Sequence, residues 1–479
     1  MASPAVLVAD LGSTSIKAAV IAADGSTLAE TREADAVIVD DGARSEGEPE
    51  AWWRQFAAAS AAAMAGAGNA PIGAIAITGL TRTQIFLDDA WRPTRPAITW
   101  RDTRAAEIAA TLPGADDADA AARPTAFDPL ARIAWVRMHE PAVFAATRVV
   151  LDPKDYLNLR LTGVAASDAV TLGRFDCPAL GRSLAERCAA LGLPASLFAM
   201  AREPGERIGL VRGGLAAPFD RLAGRPVIAC GYDTWCNTLG AGANRARCGY
   251  VVSGTTEVAG LVVDRPRPAP GLISLPWGGG LHHLGGPSQS GLDTFAWFGG
   301  DVLAGDAFAQ LRALDPAPPA DDDPIFLPYL TGERVPLWRA DVRGAFVGLG
   351  RRHDQAVLLQ AVITGIAFAN RQVFDLATAG DDAAMAELRI TGGGAAFDAW
   401  GRIKADVLGR PVRCSAVAET GLLGAAIAAL VGLGVFASFA AAQDRLARAG
   451  RQFAADPERH RTYSALYRRF LAAQRALLA

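Results

Sequence analysis

Residues 6–22 of the chain read VLVADLGSTSIKAAVIA, with apolar runs on both sides of a polar tip formed by Gly12, Ser13 and Thr14. Two apolar runs separated by a short glycine-bearing turn predict a β-hairpin. Backbone N–H groups and hydroxyls at such a tip can bind phosphoryl oxygens. Asp10, at the end of the first strand, can hold Mg²⁺ directly or through water. An ordinary structural hairpin is the alternative, and it is favoured for a single occurrence.

The same pattern recurs in the second half of the chain. Residues 249–264 read GYVVSGTTEVAGLVVD, with the tip at Gly254, Thr255 and Thr256. Gly12 and Gly254 are separated by 242 positions in a chain of 479 residues. This spacing predicts a duplicated architecture in which a cleft between two similar domains presents both tips to one nucleotide.

Strand-like and helix-like patterns alternate between and after the hairpins, which predicts α/β domains. A chain of this length also predicts two or more domains. Further strands are predicted at 72–78, 226–229 and 388–391, and helices at 52–65, 129–138, 184–191, 354–377, 396–408 and 457–478.

Composition excludes several classes of protein. Apolar residues make up 51% and charged residues 20%, a globular mixture, and a net charge of −3 indicates neither nucleic acid nor acidic membranes as a partner. Six cysteines without a C-x-x-C pair, together with the absence of a secretory signal, predict reduced thiols in the cytoplasm. The uncharged stretch 420–443 is interrupted by glycines, so it predicts a buried helix, a turn at Gly432–Gly434 and a second short helix, and no membrane span.

Asp233 follows an apolar strand and a glycine in the run Cys230-Gly231-Tyr232-Asp233-Thr234. An acid in that position emerges at the edge of a sheet, where a cleft forms. Its carboxylate can accept the proton of an attacking hydroxyl during phosphoryl transfer. A helix N-cap is the equally supported alternative, since Asp is common there.

Two further segments carry candidate binding groups. Gly392-Gly393-Gly394 forms a tight turn between a strand and a helix, which lets backbone approach a flat ligand closely. Arg82-Thr83-Gln84 and the run 100–104, WRDTR, concentrate Arg, amide and carboxylate groups near a Trp ring, a set that suits a polyhydroxyl ligand. A surface salt-bridge network with a half-buried Trp100 is the alternative for these two runs.

Together these segments resemble the FGGY carbohydrate kinases, in the family's order and along nearly the whole chain. The matching segments are the first phosphate motif at Asp10–Lys17, the W-x-D-x-R of Trp100, Asp102 and Arg104, the G-x-D of the base at Gly231–Asp233, the second phosphate motif at Ser253–Thr256, the run 326–348 similar to the xylulokinase-like branch, and the adenosine motif from Gly392 through Trp400.

The resemblance implies an α/β fold of two actin/hexokinase-like (ribonuclease H-like) domains with an ATP cleft between them. The domains are expected at residues 1–245, with the sugar site and first phosphate motif, and at 246–440, with the nucleotide site, followed by a helical segment at 441–479. It also implies ATP and Mg²⁺, with Asp233 as the catalytic base and with Asp10 and Asp233 at the metal.

The remaining site residues follow from the same resemblance. The nucleotide would contact Gly12, Ser13, Thr14, Lys17, Gly254, Thr255, Thr256, Gly392, Gly393, Gly394 and Trp400. The sugar would contact Arg82, Thr83, Gln84, Trp100, Asp102 and Asp233. A homodimer is the assembly expected from such relatives.

The substrate is predicted to be a ketose, first a pentulose such as D-xylulose, because the run 326–348 favours that branch. The chain departs from the family at one place: Gln84-Ile85 stands where xylulokinases carry Met-His and glycerol kinases carry Arg-Glu. Ribulose, L-xylulose, a hexulose, erythritol or glycerol therefore stay open. The rivals are an ATP-gated interaction protein of the same fold and a non-catalytic sugar sensor, and the cluster around Arg82 and Asp233 argues against the first of these.

Overall fold

The computed structural model describes residues 4–34, 38–112, 114–175, 183–267, 269–379, 381 and 384–478. The described helices are α1 (Pro49–Gly66), α2 (Ala106–Ala109), α3 (Pro129–His139), α4 (Pro141–Ala146), α5 (Pro153–Thr162), α6 (Ala169–Leu172), α7 (Leu184–Ala190), α8 (Asp233–Gly240), α9 (Leu292–Ala296), α10 (Ala307–Ala313), α11 (Gln355–Thr378), α12 (Asp398–Leu408), α13 (Thr420–Gly432), α14 (Phe439–Leu446) and α15 (Pro457–Leu478).

The described strands are β1 (Ala5–Leu11), β2 (Ile16–Ile21), β3 (Thr27–Glu33), β4 (Ile38–Asp41), β5 (Arg44–Gly47), β6 (Ile72–Gly79), β7 (Ile85–Leu87), β8 (Ala97–Ile98), β9 (Val149–Leu151), β10 (Ala166–Asp168), β11 (Met200–Arg202), β12 (Arg207–Leu210), β13 (Pro226–Ile228), β14 (Cys248–Ser253), β15 (Glu257–Val263), β16 (Ile273–Pro276), β17 (His282–Pro287), β18 (Ile325–Leu327), β19 (Ala345–Val347), β20 (Glu387–Thr391), β21 (Val412–Ser415) and β22 (Ala449–Phe453).

Two large mixed sheets share one topology. The first has the order β12-β13-β6-β1-β2-β3, and the second has the order β16-β17-β15-β14-β20-β21-β22. In the first sheet β1 is antiparallel to β2 and parallel to β6. In the second, β14 is antiparallel to β15 and parallel to β20. The predicted duplication is therefore confirmed, and each glycine tip lies in the hairpin of its sheet's central strand.

The central strands are almost continuously buried, since helices cover both of their faces. Six of the seven residues of β1 are buried, and β6 is buried at seven of its eight positions. Such uninterrupted apolar runs are typical of strands with parallel neighbours in covered sheets. Asp10, near the end of β1, is the one half-buried position of that strand.

Helices predicted from apolar periodicity are present in the structure. The predicted helix at 354–377 corresponds to α11, and the uncharged stretch forms α13, a turn and α14, as expected. Among the described residues one helix, Gln355–Thr378, is long and apolar enough to cross a membrane, and 78% of its most apolar window is buried inside the protein. The five described cysteines are free and buried, and Cys177 lies outside the described residues.

Helix α13 belongs to the second half of the sequence but packs against the first sheet. Its residues Leu422–Leu430 share a core with Val6 and Val8 of the first sheet and with Trp235 of α8. A Cβ atom added at Gly240 or Gly424 would overlap the backbone of the facing helix, so α8 and α13 touch main chain to main chain. Gly240, the last residue of α8, lies against Thr420, the first residue of α13, so the two helices run antiparallel at this crossing.

Candidate active site

The first hairpin tip is open to the cleft. Asp10 is paired in register with Lys17 across the hairpin, and the N–H of Gly12 donates to the carbonyl of Ser15. Thr14 is exposed at the tip. The ammonium of Lys17 lies 2.5 Å from the carboxylate of Glu419, the residue before α13. The sequence reasoning missed Glu419, although an acid directly before an apolar helix was a possible signal.

The second tip is built in the same way and is held from behind by a buried ion pair. The N–H of Gly254 donates to the carbonyl of Thr256, and Thr255 is exposed. Glu257, which directly follows the tip, is fully buried and accepts a 2.6 Å hydrogen bond from the hydroxyl of Ser253. The ammonium of Lys404, also fully buried, lies 2.8 Å from Glu257.

The glycine turn lies directly against the second tip. Gly392 has φ of 83°, a conformation that favours glycine, and a Cβ there would lie 2.5 Å from the carbonyl oxygen of Ser253. A Cβ at Gly394 would overlap the hydroxyl of Ser253, while Gly393 is exposed. Only residues without side chains allow the turn and the tip to approach this closely.

Asp233 is not the N-cap of α8, because the N-cap position is occupied by Tyr232. It is the first residue of α8, and its carboxylate accepts hydrogen bonds from the N–H of Thr234 at 2.5 Å and from the Thr234 hydroxyl at 3.2 Å. Burial raises the pKa of Asp233 above its ordinary value, while the hydrogen bonds from Thr234 and the charge of Arg174 counteract that rise.

Asp10 and Asp233 face one another. Burial and then the charge of Asp233 raise the pKa of Asp10 to about 7, with Lys17 opposing the shift. Two neighbouring carboxylates that disfavour each other's ionisation form a natural site for a divalent cation. Among the described residues no group of three or more His, Cys, Asp or Glu side chains forms a metal site. The pair therefore fits a largely hydrated Mg²⁺, which proteins usually bind through one or two carboxylates and the substrate phosphates.

Hydrogen bonds connect the glycine turn to Asp233. The hydroxyls of Thr391, which precedes the turn, and Thr420 are 2.6 Å apart. Thr420 also donates to the side-chain oxygen of Asn237, whose amide nitrogen donates to the backbone carbonyl of Asp233. Gly421 places backbone beside the carboxylate of Asp10. The structure thus brings the sequence-predicted tips, turn and base into one cleft.

Asp152 organises the opposite side of Asp233. Its carboxylate accepts from Arg174 at 3.1 Å and from the hydroxyl of Thr81 at 3.0 Å. The guanidinium of Arg174 lies over the ring of Tyr232, the residue before Asp233, at 4.7 Å. Arg82 is half-buried beside this group. Sequence reasoning missed Asp152 and Arg174. Asp152 directly follows the apolar strand β9, a position similar to that of Asp233 after β13, and this was the available signal.

Arg132, another residue that the sequence reasoning missed, holds the backbone of the sugar side. It is fully buried on the core face of α3. Its guanidinium donates to the carbonyl oxygens of Arg82 at 2.7 Å, Trp100 at 3.0 Å and Asp102 at 3.2 Å. An arginine among the apolar positions of a helix is unusual, and this was the available signal.

Four residues predicted to contact ligands do not reach the cleft surface. Asp102 is 0% exposed and pairs with Arg104 at 2.7 Å, an ion pair that is buried and not part of a surface network. Thr83 and Gln84 are 0% and 2% exposed behind Arg82. Trp400 is 0% exposed and donates its indole N–H to Glu257, so it supports the second tip from the core. All four side chains are buried, and their contacts with ligands stay predictions.

The adjacent histidines behave as a structural pair. They begin β17, and His283 is buried with its Nδ1 at 2.8 Å from the hydroxyl of Tyr250. Burial lowers the pKa of His283 to about 3, so the ring is neutral at physiological pH. Trp277 packs against His283 and Tyr250 on one side and Tyr232 on the other.

The chain matches a known family along both of its halves. Residues 5–240 match the N-terminal domain of the FGGY family of carbohydrate kinases, and residues 249–433 match the C-terminal domain of that family. Both glycine tips, Asp233 and the glycine turn lie within these matches.

Individual relatives agree with the family match. The chain is 31% identical over 443 residues to a xylulose kinase of Streptomyces coelicolor, covering 88% of this chain and 87% of that protein. It is 29% identical over 361 residues to an L-xylulose/3-keto-L-gulonate kinase of Escherichia coli, covering 71% and 69%. A crystal structure of xylulose kinase from Rhodospirillum rubrum superposes with a TM-score of 0.86 at 27% identity and 99% coverage of each chain. The chain accordingly belongs to the FGGY family of carbohydrate kinases and is an ATP-dependent sugar kinase.

Proposed function

We propose that the chain transfers the γ-phosphoryl group of ATP to a hydroxyl of a ketose, with a pentulose such as D-xylulose as the first candidate. The observation that carries this proposal is the position of Asp233. Its charge acts on Asp10, at the end of the strand before the first tip, and the charges of Arg174 and Asp152 act on it. A base between a phosphate-binding tip and a polar pocket is what transfer from a nucleotide to a sugar requires.

Asp233 takes the proton as the sugar hydroxyl attacks. The new bond forms between that oxygen and the γ-phosphorus, the bond from the γ-phosphorus to the bridging oxygen breaks, and ADP leaves with the electron pair. A carboxylate whose pKa is raised by burial is a stronger base than an exposed one, which favours this transfer near neutral pH. Little covalent work is left to the protein, so positioning and charge stabilisation dominate the catalysis.

The two tips and the glycine turn supply the nucleotide contacts. Gly12, Ser13, Thr14 and Lys17 on one side and Gly254, Thr255 and Thr256 on the other would hold the phosphates through N–H, hydroxyl and ammonium groups. Gly392–Gly394 would lie against the adenosine. When bound, Mg²⁺ would offset the negative charge of the phosphates, and Asp10 and Asp233 are the residues to hold it.

The choice of a pentulose rests on the names of relatives, two of which are xylulose kinases. Gln84 is 2% exposed, and its amide nitrogen has no hydrogen-bond partner among the described residues, so the departure at this position leaves other ketoses and polyols open. Arg82 and Trp100 remain the candidates for contact with the sugar, since both are half-buried at the cleft.

The proposal is tested by measuring ADP release with Mg²⁺-ATP over pentuloses, hexuloses and polyols. Strong turnover of D-xylulose is the expected result. Turnover of a different sugar alone would replace the substrate but keep the reaction. If no sugar of the panel gave ADP release while ATP binding was shown separately, a sugar sensor of the same fold would be favoured.

A further inference from the structure

Arg82 projects into a large cavity next to the site of transfer. The cavity has a volume of about 470 Å³ and lies between segments of the two halves, with Arg82 and Arg174 on one wall and Leu272–Leu275 on the other. That volume is within the range of small-molecule sites, which is about 300–1,000 Å³. The cavity is therefore large enough for the part of a substrate that extends away from Asp233.

The backbone of Arg82 is held in a costly conformation. Its φ is 57°, in the left-handed region that non-glycine residues seldom adopt. The hydrogen bond from the buried Arg132 to its carbonyl oxygen, at 2.7 Å, fixes it there. Strained residues held in this way concentrate at ligand sites, where the strain aims a side chain.

Arg82 has no carboxylate partner among the residues that the structure describes, unlike two other arginines of the cavity wall. Arg174 pairs with Asp152 at 3.1 Å, and Arg187 pairs with Asp128 at 2.5 Å. The other acids of the wall are already engaged in different contacts. Asp119 accepts from the N–H groups of Ala121 and Gly271, and Asp117 accepts from the N–H of Asp119.

The charge of a second arginine, from the C-terminal half, acts on Arg82. Burial lowers the pKa of Arg334 to about 10, the charge of Glu333 opposes that lowering, and the charge of Arg82 adds to it. Arg334 donates to the carbonyl oxygen of Ser288, and its Nε has no partner within the described part of the chain. Like charges partly removed from water are costly unless an anion joins them.

We propose that the sugar site accepts a ketose whose end remote from the reacting hydroxyl is a carboxylate, and that Arg82 binds this carboxylate. The inference rests on the proposed kinase reaction and extends it from neutral ketoses to ketose acids. The charges of Asp128 and Asp152 act on Arg82, but these acids form their ion pairs with Arg187 and Arg174, so a neutral hydroxyl leaves Arg82 without an ion-pair partner of its own among the described residues. A carboxylate supplies that partner, and its two oxygens match the planar fork of a guanidinium.

The test compares two substrates that differ only at the remote end, using the full-length chain with Mg²⁺-ATP. 2-Keto-D-gluconate carries a carboxylate at C1 where D-fructose carries a hydroxymethyl group, and D-xylulose is included as the neutral pentulose. We expect kcat/KM for 2-keto-D-gluconate to exceed that for D-fructose by about 10- to 100-fold, as for a hydrogen bond between charged groups.

The variant Arg82→Gln separates charge recognition from a general loss of function. It should remove most of the preference for the acid, mainly by raising the KM for 2-keto-D-gluconate, and change the KM for ATP little. Arg461→Gln, on the exposed face of α15, is the matched control and should leave the preference unchanged.

The two proposals fail in different ways. Turnover of D-xylulose or D-fructose without any of 2-keto-D-gluconate, or an equal loss for acid and neutral substrates in Arg82→Gln, would overturn the carboxylate inference and leave the kinase proposal standing. Turnover of neither class would remove both. A preference for the acid that Arg461→Gln also abolishes would likewise reject the role of Arg82.

Discussion

At the scale of single residues, some polar groups of the cleft form their hydrogen bonds with other protein groups, and others can still bind a ligand. Asp102, Trp400 and Glu257 form hydrogen bonds with other protein groups. Asp233, in contrast, receives protein hydrogen bonds on one carboxylate oxygen, from Thr234. This difference separates a residue that holds the site from one that can act on a substrate.

Asp233→Ala should lower turnover by about 100- to 10,000-fold, the usual contribution of a general base. ATP affinity in EDTA, where no Mg²⁺ depends on Asp233, should change little, because the base acts in the chemical step. Steady-state kinetics with the active sugar and calorimetric titration with ATP check the two halves of the prediction. Asp444→Ala, at an exposed acid paired with Arg245, is the control. An equal loss of ATP affinity would contradict the assignment.

Asp10 predicts how stability depends on pH. Its pKa is about 7 in the folded chain against an ordinary 3.8, so the folded state binds the extra proton between these values. Stability contributed by this group is complete below pH 4 and is lost as the pH rises to about 7. Denaturant unfolding in EDTA should therefore show a smaller decline from pH 4 to pH 7 for Asp10→Asn than for the wild type. Parallel curves would show that Asp10 titrates normally.

Residues contiguous in the chain were readable from the sequence, and residues paired at a distance were not. The tips, the glycine turn and Asp233 each lie in a short strand–turn pattern, which local chemistry predicts. Asp152 pairs with Arg174, and Glu257 pairs with Lys404. Glu257 and Lys404 are separated by 147 positions in the sequence. Burial of Thr83 and Gln84 also depends on elements that pack over them, which no local pattern reports.

At the scale of elements, α8 and α13 pack against each other with their backbones in contact. Helix α8 begins at Asp233, and α13 begins just after Glu419, the partner of Lys17. The closest approach occurs at Gly240 and Gly424, where any side chain would separate the helices. A side chain added at the crossing would thus displace the helix that begins at Asp233 and the helix that begins just after Glu419.

Gly424→Ala should lower the free energy of unfolding by about 1–3 kcal/mol through overpacking, even though alanine is the better helix former. Turnover should fall as well, since α8, which begins at Asp233, would be pushed away from α13. Denaturant unfolding and steady-state kinetics measure both effects. Gly213→Ala adds a Cβ with no atom within 4 Å and should be neutral. A stabilised Gly424→Ala variant would show that the crossing is looser than described.

Lys404→Met should strongly destabilise the second tip. It leaves the carboxylate of Glu257 buried without its cation, a change that costs about 3–5 kcal/mol. ADP affinity should fall in the folded protein, because Ser253 depends on Glu257 for its position. Thermal unfolding and titration with ADP check this, and the double variant Lys404→Met with Glu257→Gln should recover part of the stability. No recovery would mean that the lost charge balance is not the cause.

At the scale of the whole molecule, the two sheets are joined by a shared core and not merely by a linker. The rings of Trp277 and Tyr232 form one contact across the halves, and Trp235 donates its N–H to the carbonyl of Trp277. The predicted family and two-domain fold are confirmed. The predicted boundary at 245/246 separates the two halves of the sequence. Helix α13, which lies after that boundary, packs on the first sheet, and apolar periodicity alone does not indicate which sheet a helix packs against.

A single cooperative thermal transition is expected for the intact chain, because unfolding either sheet exposes the shared core. Trp277→Ala should weaken that core by about 3–5 kcal/mol and separate the transition into two. Differential scanning calorimetry distinguishes the cases, and Trp91→Ala, at an exposed tryptophan, should keep one transition. Two transitions in the wild type would show that the halves unfold independently.

The placement of α13 has a consequence for how such a chain can have evolved. A duplicated gene first yields two copies that each complete their own core, and each copy can then be lost or recombined alone. Once a helix encoded in the second copy covers the sheet encoded in the first, neither copy can be inherited without the other. The repeated pattern in the sequence thus records two ancestral units, while selection now acts on one indivisible unit.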